Sequence, residues 1–504
     1  MAFWVSQARF RKVFPWAVFA LMAGCSIYLR FHHLTRESIW LDEAITWQRA
    51  HLPVPEMIAD CVEHLHNPSF FLFMRLYLQL GDDELMMRLP SAVLGSLTLL
   101  ATAVIGYVCG GYRAALGAMT ILALSPLKMR YDQEARMYAQ YGLAAATMLG
   151  GLFWLLLHPQ HASQPLFGWR RRTQGRTTPG LPRKAKLSFV AVWAGGTLSW
   201  YTHNTAALLL FCAALCVALS LPTFEKSQRL PMMVNYALIN LLILIAYTPW
   251  LSSLVSQTKR LHERFWSKFP TTRVLRKTFL DLYLYGGQQT YLALLMLAFA
   301  GAALWALRRQ KALLTALLLL SFLTPALLLL ISLERPIFIP RLMLWTSIPF
   351  SVLLALGLGS FPRRLFWPLF AAMTILGVVN LNEVYFRRRF KPNYLAALQS
   401  ISNHPQAITL LANSKDEIVF DYFSSRQTRP VQGIHYVNVA KDKKVVAATE
   451  KAIVGTTTVF VARWKKWPPL KPIYALLSRR AKRVRTRSYG HGLRVHEFHM
   501  NGTK

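Results

Sequence analysis

Apolar runs long enough to cross a bilayer constrain this chain more than any other feature. A helix needs about 20 apolar residues to span a hydrocarbon core. About eleven runs approach that length, near 14–30, 87–108, 114–127, 137–157, 188–203, 205–221, 232–251, 291–307, 312–332, 342–360 and 366–384. Of the 504 residues 54% are hydrophobic and only 16% charged, where soluble domains carry roughly 25% charged residues. Disordered, collagenous and disulfide-stapled chains are thereby excluded. The five cysteines contain no CxxC pair, which excludes a zinc ribbon, and Cys212 and Cys216, one helical turn apart, read as packing.

The charge is lopsided, 58 Lys+Arg against 22 Asp+Glu, for a net +36. The basic residues sit between apolar runs and in a basic tail, which points to anionic lipid or an anionic substrate rather than to nucleic acid. The N-terminus, with Arg9, Arg11 and Lys12 before an apolar stretch, resembles a signal peptide, but no small-residue cleavage site follows and it reads as a retained anchor. Short-loop Lys and Arg set orientation. With the N-terminus cytoplasmic, the cytoplasmic loops hold Arg113, the run Arg170, Arg171, Arg172, Arg176, Arg183, Lys184 and Lys186, then Lys226 and Arg229, Arg308, Arg309 and Lys311, and Arg363 and Arg364. Gly110–Arg113 reads as a tight turn.

Nine of the 22 acids fall between 31 and 86: Glu37, Asp42, Glu43, Glu56, Asp60, Glu63, Asp82, Asp83 and Glu84. This acidic external loop is too long for a plain connector. From 385 onward short alternating runs at Ile408–Leu411, Ile418–Phe423, Tyr436–Val439 and Thr457–Arg463 predict strands, and 394–402 predicts a helix. The chain thus divides into a polytopic module, 1–384, with 31–86 as its large first external loop, and a small basic α/β domain, 385–504, outside the membrane. The terminal run Arg479, Arg480, Lys482, Arg483, Arg485 and Arg487 reads either as a solvated strand face or as a contact with phosphate-rich lipid.

Several constellations could carry chemistry. Asp42 and Glu43 follow the first span, where a carboxylate can act as general base and where burial beside a like charge raises one pKa; a pair of solvated loop acids is the plain alternative. Lys128, Arg130 and Arg136 occupy the second external turn and could hold a phosphate, with Glu134 orienting Arg136; snorkelling at a span end is the plain alternative. Arg335 and Arg341 flank a Pro-constrained external loop that could grip an anionic headgroup. Glu63, His64 and His66 could bind a divalent ion, although loop hydrogen bonding is the favoured explanation and no fixed ligand spacing is present. His203, at an external span end, reads as structural.

The order of these elements resembles the large bacterial family of polytopic glycosyltransferases related to dolichyl-phosphate-mannose–protein mannosyltransferases, which includes the lipid A aminoarabinose and core galacturonic acid transferases. The resemblance rests on Trp40-Leu41-Asp42-Glu43, His66-Asn67-Pro68-Ser69-Phe70-Phe71, Arg88-Leu89-Pro90-Ser91, Ser125-Pro126, Gln133-Glu134-Ala135-Arg136-Met137-Tyr138 and Tyr201-Thr202-His203. It covers roughly 1–260 well and the later spans loosely; Asn67 stands where the family commonly has proline. The resemblance implies an all-α polytopic GT-C fold in the bacterial inner membrane, with the C-terminal domain periplasmic. It implies a polyprenyl-phosphate sugar donor, a lipid or glycan acceptor of the cell envelope (a protein second), and inversion at the anomeric carbon. Asp42 is then the base or acceptor-orienting residue, with Glu43 beside it. Lys128, Arg130, Arg136 and Arg341 suit the donor phosphate, and His66, Arg88, Asp132, Glu134, Tyr138 and His203 support them. Relatives differ in divalent-ion use, so a metal stays open. The rival reading is a transporter or flippase of lipid-linked sugars, which would place ionisable residues near the midplane of broken helices rather than at the external mouth.

Overall fold

The computed structural model describes residues 2–166, 181–264, 269–402, 404, 407–411, 414–424, 435–438, 445–464 and 470–501. Arg170, Arg171, Arg172 and Arg176 of the basic run, and Val439 of a predicted strand, lie outside them. The chain divides into two compact units. The first comprises 1–32, 54–70 and 89–388, and the second 33–53, 71–88 and 389–504.

The first unit is helical. Each of the eleven apolar runs lies on a helix, and among the described residues seven helices are long and apolar enough to cross a membrane. The element Glu84–Ala123 is two helices, broken where Gly111 takes φ 73°, a left-handed conformation open to glycine at little cost. That is the expected turn before Arg113. Ser125 then starts the short helix Pro126–Asp132: its hydroxyl accepts the Lys128 amide hydrogen bond at 3.4 Å, and proline occupies the first turn. Residues 133–137 bend directly into the helix Tyr138–Leu157, which packs on Arg183–Thr202. Arg183, Lys184 and Lys186 are exposed at the start of that second helix.

The second unit joins the tail to parts of the first external loop. The Glu37 carboxylate accepts the backbone amides of Phe390 and Lys391, and Trp47 packs edge-on against Tyr422. Residues 33–53 and 71–88 of the first external loop thus group with the tail from 389. A five-stranded sheet has the order β2-β1-β3-β5-β4, from β1 (Ile408–Leu411), β2 (His435–Asn438), β3 (Thr458–Trp464), β4 (Ala481–Ser488) and β5 (Leu493–Met500). β1 pairs in parallel with β2 and β3, while β5 runs antiparallel to both β3 and β4. Leu410, Val459, Val461 and Phe498 on one face bury against Ile453, Ile473 and Leu477. The helix Tyr394–Ser402 forms as expected. Ile418–Phe423 corrects the sequence reading: it lies in the helix Ser414–Ser424, because Val419, Phe420 and Phe423 recur on one helical face and are buried together. Lys482, Arg483, Arg485 and Arg487 stand exposed on edge strand β4, where charge guards an open strand edge.

Candidate functional site

In the second unit the helix Leu41–His51 begins after Trp40, whose carbonyl accepts the amides of Glu43 and Ala44 at 3.0 and 2.9 Å. Asp42 and Glu43 occupy its first turn, where the helix dipole favours negative charge. Successive helical residues point about 100° apart, so the two carboxylates part company. Asp42 stays half-buried, while Glu43 is fully buried.

Arg88 holds Glu43 through two parallel 2.8 Å hydrogen bonds, from Nε to Oε1 and from Nη2 to Oε2. Lys391 Nζ lies 2.9 Å from Oε2. The remaining Arg88 donors reach the carbonyls of Leu34 at 2.9 Å, Glu37 at 2.7 Å and Ser38 at 3.2 Å. The expected upward pKa shift is reversed at Glu43. Burial pushes it up, but Arg88 and then Lys391 outweigh burial and hold it at about 2. Glu43 is thus a permanent anion that fixes the start of the helix carrying Asp42.

In the first unit, Asp132 is fully buried and pairs with two cations, Arg30 Nε at 3.3 Å and Lys128 Nζ. A Cβ at Gly95 would lie 2.4 Å from the Asp132 Cγ, so only glycine admits this carboxylate. Lys128 is 2% exposed and takes its place in this ion triad, which sets it apart from the expected phosphate ligands. Burial pulls its pKa down, and Asp132 opposes that fall. Gln133 donates to the carbonyls of Arg30 and His32, both at 2.9 Å, tying the turn to the end of the first helix.

The other three arginines gather. Arg136 and Arg341 both act on His203, and Arg130 and Arg341 both act on Tyr131, so Arg341 joins them into one set. Arg130 lies 5.6 Å over the Tyr131 ring, and its Nε is 4.0 Å from Glu134 Oε2. Arg136 Nη2 donates to His66 Nε2 at 2.8 Å. Tyr131 meets Tyr138 edge-on at 4.8 Å. His203, which caps its helix from outside, stacks on Tyr141 at 5.4 Å, and its Nδ1 accepts the Thr205 amide at 3.1 Å, placing its proton on Nε2. Burial first, then Arg341 and Arg136, drive the His203 pKa down to about 3. The histidine is neutral at physiological pH, and the set holds three guanidiniums with Glu134 beside Arg130. Such a set can bind a phosphate by paired, charge-assisted hydrogen bonds.

The divalent-ion expectation fares differently. Among the described residues no group of three or more His, Cys, Asp or Glu side chains is placed to hold a metal. His64 pairs with Asp60 at 3.0 Å, Glu63 is exposed and His66 accepts from Arg136. Sequence reasoning missed Arg30 and Lys391. Arg30 reads as the charged end of an apolar run, and Lys391 is one cation among many in a basic tail. Nothing in the sequence marks their distant partners.

No family model matches the chain, and no curated protein does. Solved structures do. ArnT from Cupriavidus metallidurans in the apo state superposes with a TM-score of 0.60 at 12% identity, over 96% of this chain and 98% of that one. The same protein bound to undecaprenyl phosphate gives 0.58 at 13% identity, over 95% and 97%. The Archaeoglobus fulgidus oligosaccharyltransferase tethered to an acceptor peptide gives 0.50 at 11% identity, over 90% of this chain and 69% of that one. A likeness that spans nearly the whole chain at such low identity is a likeness of fold, and this chain is a membrane protein with the GT-C glycosyltransferase fold.

Proposed function

We propose that this protein transfers a sugar from a polyprenyl-phosphate carrier to a glycolipid or glycan of the cell envelope, at the periplasmic face of a bacterial inner membrane. The observation that carries the reading is the positive set of buried Arg136 and half-buried Arg130 and Arg341 beside Tyr131 and a neutral histidine, in a chain whose fold is shared with a transferase solved with undecaprenyl phosphate.

In the proposed reaction the acceptor hydroxyl gives its proton to Asp42. Its oxygen bonds to the anomeric carbon from the side opposite the phosphate. The bond from that carbon to the phosphate oxygen breaks, and its electron pair leaves with polyprenyl phosphate. The configuration inverts. The arginines stabilise charge where it grows, on the departing phosphate. Glu43 and Arg88 position the helix of Asp42, and the Arg30–Asp132 pair positions the turn that carries Arg130 and Arg136.

The test compares envelope glycolipids by mass spectrometry in cells with and without the protein. A mass increment equal to one sugar, present only with the protein and lost with Asp42→Asn, supports the reading. Identical glycolipids in both overturn it. A reporter fused after Phe390 tests the orientation: activity confined to the periplasm agrees, and activity confined to the cytoplasm does not.

A further inference from the structure

A chain of hydrogen bonds beside Arg136 ends on an open acceptor. Thr202 Oγ1 lies 2.6 Å from the Leu198 carbonyl, which can only accept, so the single Thr202 hydroxyl proton points there. Ser69 Oγ, 3.0 Å from Thr202 Oγ1, must then donate to it. With its proton spent, Ser69 accepts from the third member, Gln140 Nε2, at 3.2 Å. This logic fixes the orientation of the Gln140 amide: its NH2 faces Ser69 and its Oε1 faces away. Gln140 is 7% exposed, and among the described residues Oε1 is buried with no hydrogen-bond partner. A buried acceptor left unpaired costs free energy, and the direction of the relay leaves Gln140 able to welcome only a donor at that atom.

The place of this acceptor gives it meaning. Two contacts join the same pair of segments: Arg136 to His66, and Gln140 to Ser69. Arg136, in the bend before the helix Tyr138–Leu157, and Gln140, in the first turn of that helix, thus both meet the segment 66–69.

We infer that Gln140 Oε1 receives the exocyclic hydroxyl of the carried sugar, the one a uronic acid replaces with a carboxylate, with Ser69 and Thr202 as positioning residues that hold the amide. The inference rests on the proposed polyprenyl-phosphate donor and narrows it: the sugar presents a hydrogen-bond donor, not a carboxylate, at this position. A carboxylate would set acceptor against acceptor in a buried site. Sites built to hydrogen-bond a substrate hydroxyl discriminate strongly against analogues that lack it.

The test uses full-length protein in detergent and three probes: undecaprenyl phosphate, its hexosyl derivative and the corresponding hexuronosyl derivative with a carboxylate. Wild type is expected to bind the hexosyl carrier at least about tenfold more tightly than the bare or hexuronosyl carrier. Gln140→Leu, close in volume, should erase that preference while bare undecaprenyl phosphate binds as before, which also reports a folded protein. Ser69→Ala should weaken the preference in part. A preference that survives Gln140→Leu, as it would if Oε1 only holds a water, overturns the inference, and so does a wild type that favours the hexuronosyl carrier. Failure of wild type to bind any of the three carriers would instead overturn the donor reading itself.

Discussion

Arg88 closes on Glu43 with two parallel 2.8 Å hydrogen bonds, and this buried pair, with Lys391 on the same carboxylate, separates the two adjacent acids by role. Glu43 serves the architecture and leaves Asp42 the more accessible of the two. Removing one member of a buried ion pair costs about 3–5 kcal/mol because the partner charge is left uncompensated. Glu43→Gln should therefore loosen the second unit, seen as faster proteolysis and amide exchange in the helix Leu41–His51. An unchanged exchange pattern would contradict the structural role.

Asp42→Asn should behave in the opposite way. The side chain is half-buried, so the variant should fold with normal thermal stability. Loss of general-base catalysis typically costs about 10²–10⁴ in rate, and sugar transfer should fall by that order with donor affinity retained. Normal turnover in purified Asp42→Asn protein would remove Asp42 from the chemistry.

The pH dependence of the second unit follows from Glu43. Its native pKa, about 2, is depressed from an ordinary 4.5. The native state thus binds fewer protons than the unfolded state as pH falls below about 4.5. The stability contributed by Glu43 is full above that value and is lost as pH drops toward 2. Amide protection in the helix Leu41–His51, relative to the intrinsic exchange rate at each pH, should be flat from pH 8 to 5 and fall below about 4.5. A loss of protection already complete at pH 5 would contradict the Arg88–Lys391 clamp.

Lys128 and Gly95 offer a contrast within the first unit. Lys128→Met leaves Asp132 with Arg30 alone and should lower thermal stability, with little change in donor affinity of the folded fraction. Gly95→Ala should destabilise as well, since its methyl would strike the Asp132 carboxyl at 2.4 Å. A Lys128→Met protein of normal stability that has lost donor binding would return Lys128 to the phosphate site.

Much of this was legible from residue order. Apolar run length fixes the helices, because a bilayer-spanning helix has a length to meet, and Gly110 and Gly111 mark a turn because few other residues adopt φ 73°. The arginines of the site stood out as charges at span ends. Hidden from the sequence were the pairings. Glu43 and Lys391 meet only through the fold, and the same fold reversed the pKa expected for adjacent acids. Ile418–Phe423 carries strand-forming residues, yet its neighbours bury one helical stripe of it; tertiary packing overrode propensity. The relay from Gln140 to Thr202 joins three ordinary polar residues on three helices and has no sequence signature.

The central claim, that Arg130, Arg136 and Arg341 form the donor-phosphate site, is tested most directly by the affinity of purified protein for undecaprenyl phosphate. Arg136→Ala and Arg341→Ala should each weaken binding by at least about tenfold, given charge-assisted contacts of about 1.5–3 kcal/mol, while Lys277→Ala, on an exposed helix face, leaves it unchanged. Wild-type affinity in both arginine variants would contradict the account.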